Sequence, residues 1–260
     1  MEQITAQQTT PLYSGSISRE AIKYFAMLTM LLNHIANVFL TPNTLLSDIF
    51  LNVGYFTAVT MCYFLVEGYR YTHSKKKYAL RLALFAVVSQ VPFALAFHSP
   101  DDFEALGLPA SAMFFIGFNM MFTLLLCFLI LMAQEYIKNK FLRYLAIFLL
   151  TFISLFSDWA LMAPIFTLLF SWSYGSMKKT RIAYIINACM YGLIEIISGT
   201  DRLIDITGGM IAILVSGIAV TFLYSGKRSE KCGAFSKWFF YLFYPVHLAV
   251  LCIIRAVIVK

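Results

Sequence analysis

Long apolar stretches separated by short polar breaks dominate this chain of 260 residues. A helix needs about 20 consecutive apolar residues to cross the hydrocarbon core of a membrane. Stretches of roughly that length recur along the chain, and the fifth and sixth are the shortest. Their bounds are 21–40, 49–69, 78–97, 111–133, 141–156, 159–174, 181–197, 206–224 and 236–258. The pattern predicts an all-α, polytopic membrane bundle of about nine transmembrane helices.

The fifth and sixth stretches are separated only by Ser157 and Asp158. Without that break they would form one apolar run far longer than a single membrane crossing requires. A tight hairpin between two short helices is therefore predicted there. The positions of the charged residues test this division.

Lysine and arginine collect in the breaks on one side of the predicted bundle. With the N-terminus in the cytoplasm, 17 of the 20 basic residues fall on the inner side, and only Arg202, Arg255 and Lys260 do not. Cytoplasmic loops of membrane proteins carry such an excess of positive charge. The distribution predicts an inner-membrane protein whose N-terminus is inside and whose C-terminus is outside.

Composition agrees with a membrane location. Hydrophobic residues make up 60% of the chain and charged residues only 13%, whereas a soluble domain is about 25% charged. The net charge of +7 does not suggest nucleic acid, because the basic residues lie in short clusters between apolar runs rather than along one face. The lipid bilayer is the partner that this composition predicts.

The chain is predicted to hold one domain. Residues 1–18 are polar and lack the apolar stretch of a cleavable signal peptide, so we interpret them as an N-terminal tail. Residues 19–260 form a single transmembrane domain. The five cysteines are scattered without a CxxC pair, which predicts neither a disulfide framework nor a metal site.

Four ionisable residues stand inside the predicted spans, where charge is costly and therefore often functional. They are His34, Glu67, Glu195 and His247. His34 lies eleven residues after Lys23, about 16 Å deeper along a helix. It has no structural explanation as simple as those of the others.

Structural alternatives exist for the other three. Glu67 could pair with Arg70 at the interface, and His247 could bind a carbonyl group freed by Pro245. Glu195 could extend to the outer interface. The amides of Gln90 and Asn119 could join neighbouring helices.

A cluster of basic residues follows the second span and is interleaved with tyrosines. Such a mixture suits a phosphate-rich ligand that also stacks on aromatic rings. The basic members are Arg70, Lys75, Lys76, Lys77 and Arg81, and the tyrosines are Tyr69, Tyr71 and Tyr78.

Several ordered segments resemble the TraX family, which is named for the membrane enzyme that acetylates the N-terminus of conjugative pilin. They are IKYFAM (22–27), MLLNHI (30–35), FLVEGYRYT (64–72), YALRL (78–82), SQVPF (89–93), FNMMFTLL (118–125), SDW (157–159) and YPVHL (244–248). The chain is also distantly similar to acyltransferase-3 membrane proteins, which carry a basic residue and a histidine separated by ten residues, as Lys23 and His34 are. The family commonly has an acid where this chain has Asn33.

The resemblance implies a membrane acetyltransferase that takes its acetyl group from cytoplasmic acetyl-CoA. His34 would act as general base or carry the acetyl group, and Asn119 would donate to the thioester oxygen. His247 would assist proton transfer, and Asp158 would take part from the outer side. Donor phosphates would be bound by Lys23, Arg70, Lys75, Lys76, Lys77, Tyr78 and Arg81.

The acceptor is expected to be an amine or hydroxyl of a protein, a peptide or a cell-surface glycan, near Asn33, Glu67 and Glu195. Two other functions stay open from the residues alone. A proton-coupled transporter would also use intramembrane histidine and glutamate, and a non-enzymatic assembly protein would use them as structural contacts.

Overall fold

The computed structural model describes residues 13–115, 117–228 and 233–258. Helices account for nearly all regular structure there, with two isolated β-bridges, Ile17 to Tyr224 and Phe118 to Ser157. The α-helices in chain order are α1 (Arg19–Phe39), α2 (Leu45–Tyr71), α3 (Lys75–Phe97), α4 (Pro100–Ala105), α5 (Met120–Tyr136), α6 (Lys140–Ile153), α7 (Met162–Ser173), α8 (Met177–Ile197), α9 (Leu203–Ile218) and α10 (Gly233–Ile258).

The predicted all-helical, multi-pass class is confirmed. Five helical segments are long and apolar enough to cross a membrane: Leu45–Tyr71, Lys75–Phe97, Met177–Ile197, Leu203–Leu223 and Trp238–Ile258. Met120–Tyr136 and Met162–Ser173 are shorter apolar helices. Nine crossings and the N-in, C-out orientation stay predictions.

One predicted boundary is wrong. The fourth span was expected from residue 111, but α5 begins at Met120. Residues 110–114 form a separate 3-10 helix, and Gly117 has a positive φ of 77°. That left-handed backbone suits glycine and ends any continuous helix. Between α6 and α7, in contrast, the chain turns at Ser157 and Asp158 as predicted.

Helix α2 lies at the centre of the bundle and packs against α1, α5, α7 and α9. Helix α10 packs against α3 and α1 and so brings the end of the chain back to its beginning. Helix α6 is peripheral: none of its residues is buried, and Phe141, Phe148 and Phe152 are exposed. Such an apolar exposed face fits contact with lipid.

The described part of the predicted tail is held against the bundle. The backbone N–H groups of Gly15 and Ile17 donate to the carbonyls of Tyr224 and Leu223. Ser18 then caps α1 by accepting from the N–H of Ala21. Residues 1–12 lie outside the described part of the chain, as does Cys232.

Helices α1 and α2 approach closely at Gly54. A Cβ atom added to Gly54 would lie 2.3 Å from the Cβ atom of Asn33. The Asn33 amide donates to the carbonyl of Leu51 at 2.9 Å, so it cannot move aside without losing that bond. The missing side chain of Gly54 therefore permits the contact that sets the α1–α2 spacing.

We expect Gly54→Ala to lower the free energy of unfolding by about 1–3 kcal/mol, the usual cost of forcing extra atoms into a packed site. Thermal unfolding of the purified protein in detergent measures this. Gly192→Ala is the control, since its added Cβ would meet the flexible Met210 side chain at 2.7 Å. Equal stability of the Gly54→Ala variant and the wild type would contradict the close approach.

Candidate functional site

The two predicted intramembrane histidines meet in the structure. Nδ1 of His34, on α1, lies 2.7 Å from Nε2 of His247, on α10. Their rings are stacked with centroids 4.9 Å apart, and both residues are only 7% exposed. Residues 213 positions apart thus form one hydrogen-bonded pair in the core of the bundle.

The partners of His247 fix the proton positions in this pair. Nδ1 of His247 lies 2.7 Å from the carbonyl oxygen of Phe243, and a carbonyl can only accept. In neutral rings, His247 must therefore donate from Nδ1 and accept at Nε2 from the Nδ1–H of His34. Nε2 of His34 is left with an unprotonated lone pair, which is what a general base requires.

His34 also lines a large cavity, which we call the central cavity. Its volume is about 790 Å³, within the ~300–1,000 Å³ typical of ligand sites. Its polar lining residues form two groups, which we call the basic end and the deep end. The basic end includes Arg19, Lys23, His73, Lys77, Arg81 and Arg228, and the deep end includes Asn33, His34, Asp158, Trp159 and Tyr244.

Part of the predicted basic cluster lines this cavity. Lys77 and Arg81 lie one helical turn apart on α3, and Tyr78 stands between them. The Arg81 guanidinium lies 5.3 Å from the centre of the Tyr78 ring. Lys23 lines the same end and lies 4.9 Å from the centre of the Phe240 ring. Cations and aromatic rings thus lie side by side at this end of the cavity.

Three other members of the predicted cluster are not among the residues that line the cavity. Arg70 lies over the ring of Tyr174, 5.8 Å from its centre. Lys75 forms an ion pair with Glu135 at 2.5 Å. Lys76 is exposed. These three residues of the predicted cluster therefore lie outside the cavity lining.

Glu67 does not pair with Arg70, the partner considered from the sequence. It is fully buried, forms an ion pair with Arg19, and accepts from the hydroxyl groups of Tyr13 and Tyr224. Buried carboxylates need such partners. Glu67 is not among the cavity-lining residues, so its contacts favour a structural role over the predicted substrate contact.

Asn119 is the N-cap of α5 rather than a residue inside a helix. Its Oδ1 accepts from the N–H of Met121, and its Nδ2 donates to the carbonyl of Ala86 at 2.8 Å and to Oε1 of Gln90 at 2.7 Å. Both amide hydrogens are therefore used, and the side chain is fully buried. The predicted donation to a thioester oxygen has no free N–H here.

Among the described residues, no hydrogen bond joins Asn33 to the His34 ring. Its amide donates to the carbonyl of Leu51, and its Oδ1 accepts from Asn37 at 3.1 Å. The imidazole of His34 is instead oriented by His247. The position before the first histidine therefore joins α1 to α2 in this chain.

The two predicted outer carboxylates differ in position. Glu195 accepts from the Thr200 hydroxyl at 2.7 Å and is not among the cavity-lining residues. Asp158, in the connection between α6 and α7, lines the deep end of the central cavity. Burial raises the pKa of Asp158 to about 6, although the backbone N–H of Trp159 acts in the opposite direction.

Several cavity residues were missed by the sequence analysis. Arg19, His73 and Arg228 join the basic end, and Tyr244 lines the deep end beside His34. Arg228 lies in a break far along the chain from the basic cluster, so no local pattern connects them. For Tyr244 the sequence held a signal, because a residue one helical turn before His247 shares its helix face. Among the described residues, no group of three or more His, Cys, Asp or Glu side chains is placed to hold a metal ion.

Comparisons with known proteins agree on one family. The family model "TraX protein" matches residues 18–255. A protein of Dichelobacter nodosus named "Probable fimbrial assembly protein FimC" is 34% identical over 238 residues, which cover 89% of this chain and 93% of that protein. No solved structure matches.

Proposed function

We propose, from the premise that this chain belongs to the TraX family, that it transfers an acetyl group from acetyl-CoA to an amine or hydroxyl of an acceptor at the membrane. The observation that carries the proposal is the central cavity, in which one continuous lining joins a cluster of cations to the unprotonated Nε2 of His34. That arrangement offers cations to an anionic acetyl donor and places a general base in the same cavity.

The basic end suits the phosphate groups of the donor. Lys23, on α1, and Lys77 and Arg81, on α3, line this end of the cavity, which serves as its mouth in this proposal. Bonds between such cations and phosphate are charge-assisted and stronger than neutral ones. The positive-inside distribution favours a cytoplasmic position for this mouth, where acetyl-CoA is available. The pantetheine arm then follows the apolar walls towards His34, about 16 Å deeper along α1.

The reaction at the deep end follows from the tautomers of the histidine pair. The acceptor nitrogen or oxygen attacks the thioester carbon and forms the new bond, while Nε2 of His34 takes its proton. The carbon–sulfur bond then breaks, and the thiolate leaves with the proton that His34 holds. His247 is a positioning residue, because it contacts His34 and the Phe243 carbonyl and is not among the cavity-lining residues.

Asp158 is placed to attract a cationic acceptor. When ionised, its carboxylate would hold an ammonium group at the deep end, and the ammonium would lose its surplus proton to water before attack. Because FimC is named for fimbrial assembly, the N-terminal amine of a pilin peptide is the first acceptor to test. A hydroxyl acceptor would gain nothing from this charge.

We expect the KM for an amine acceptor to rise as the pH falls through about 6, since Asp158 is protonated there and loses its charge. Asp158→Asn should raise the KM at neutral pH and remove this dependence. Steady-state kinetics at varied acceptor concentration measure both effects. An Asp158→Asn variant with the wild-type pH dependence would contradict the role.

The proposed activity is tested with purified protein in liposomes that contain acetyl-CoA and a pilin N-terminal peptide. We expect acceptor-dependent release of the CoA thiol and one acetyl group on the peptide by mass spectrometry. Proton-coupled flux of a solute without acetyl transfer would instead support a transporter. If the protein shows neither activity and does not bind CoA, the assembly role is the one that remains.

A further inference from the structure

The developing oxyanion of the thioester finds no free N–H or O–H on Asn119, His34 or Asp158. Both amide hydrogens of Asn119 are bound to Ala86 and Gln90. The Nδ1–H of His34 is used by His247. Asp158, once ionised, has no proton to donate. Removal of an oxyanion donor typically costs 10²–10³ in kcat, so a transferase without one would be slow.

Tyr244 has an uncommitted proton at this position. Its hydroxyl oxygen accepts the N–H of Met120 at 3.2 Å, and that bond leaves the phenolic hydrogen free to donate elsewhere. No acceptor for this hydrogen occurs among the hydrogen bonds of the described residues. Tyr244 is only 4% exposed and yet lines the central cavity, so the hydrogen is available to a ligand there.

The ring of Tyr244 is also fixed with respect to the base. Its centroid lies 6.2 Å from that of His34 and 5.6 Å from that of His247. Tyr244 and His247 stand three residues apart on α10 and so share one helix face. The bond from Met120, the first residue of α5, anchors the hydroxyl to a second helix. A donor held in this way needs no rearrangement during the reaction.

We propose that Tyr244 is a catalytic residue whose hydroxyl group donates a hydrogen bond to the thioester carbonyl oxygen. This inference rests on the acetyl transfer proposed above. As the acceptor atom bonds to the carbonyl carbon, the carbonyl π pair moves to oxygen and is stabilised by the Tyr244 O–H, which keeps its proton. When the pair returns, the carbon–sulfur bond breaks, and the thiolate leaves with the proton from His34.

Tyr244→Phe removes the donor and keeps the ring. We expect kcat to fall about 10²–10³-fold while the affinity for CoA, measured separately by titration, stays unchanged. Tyr184→Phe is the matched control, since Tyr184 is a buried tyrosine that is not among the cavity-lining residues and accepts from Ser216. The control should retain wild-type kcat.

If the hydrogen bond from Met120 is only structural, its loss would also lower the activity of Tyr244→Phe. A second variant therefore separates the structural role of the hydroxyl from the catalytic one. Fluorotyrosine at position 244 keeps the ring and the hydroxyl oxygen but makes the phenol more acidic. We expect kcat at neutral pH to be kept or raised, because a more acidic phenol is a stronger donor. A purely structural role would lower it, because the phenol oxygen becomes a weaker acceptor for the N–H of Met120. Wild-type kcat in Tyr244→Phe, or a clearly lower kcat with fluorotyrosine, would overturn the inference. Absence of acetyl transfer in the wild type would overturn the proposed function itself.

Discussion

His34→Gln is expected to lower the rate of acetyl transfer by about 10²–10⁴-fold, the usual contribution of a general base. Glutamine retains a polar side chain of similar size, so the contact with His247 has a substitute. It cannot take up a proton, however, which is the role proposed for Nε2 of His34. Single-turnover measurement of acetyl transfer gives the effect directly.

The affinity for acetyl-CoA should stay nearly unchanged in the same variant. In the proposed binding mode, the binding energy of acetyl-CoA comes from its phosphates at the basic end, about 16 Å from His34 along α1. His98→Gln is the control, because His98 lies outside the central cavity and contacts Phe93 and Phe103. A well-folded His34→Gln variant that transfers acetyl at the wild-type rate would show that His34 is not the base.

The double variant Lys77→Ala/Arg81→Ala is expected to weaken CoA binding by about 10²-fold. Each hydrogen bond to a charged group contributes about 1.5–3 kcal/mol, and Lys77 is exposed, which places its share at the low end. Titration of the purified protein with CoA measures the change. Wild-type binding should also weaken as salt is raised, and the variant should respond less.

A charge-matched control exists on a nearby helix. Lys140→Ala/Arg143→Ala removes the same number of charges from α6, whose residues are not among those lining the cavity. Its affinity for CoA should equal that of the wild type. If both double variants weaken binding equally, the effect is one of general charge, and the cation site at Lys77 and Arg81 is wrong.

The lengths of the apolar runs were sufficient to predict the long helices and the break at Ser157 and Asp158, because crossing a membrane requires long apolar runs. It was not sufficient for α5. There the residues 111–119 are apolar enough to continue the helix, but Gly117 and the cap at Asn119 end it. Apolar character alone does not distinguish a membrane helix from an apolar connection.

The site could be predicted only in part, for a related reason. His34 and His247 were identified as intramembrane polar groups, but their hydrogen bond depends on α10 packing against α1. Arg19 was predicted only as an inner basic residue, yet it is the partner of Glu67. Spacing along one helix shows which residues share a face, whereas the order of helices around a bundle decides which faces meet.

The most direct test of the account is a structure of the protein with acetyl-CoA bound, determined by electron cryomicroscopy. We predict density for the phosphates against Lys77 and Arg81, with the pantetheine arm in the central cavity and the thioester next to Nε2 of His34 and the hydroxyl of Tyr244. Acetyl-CoA bound outside the cavity, or a thioester remote from His34, would contradict the account.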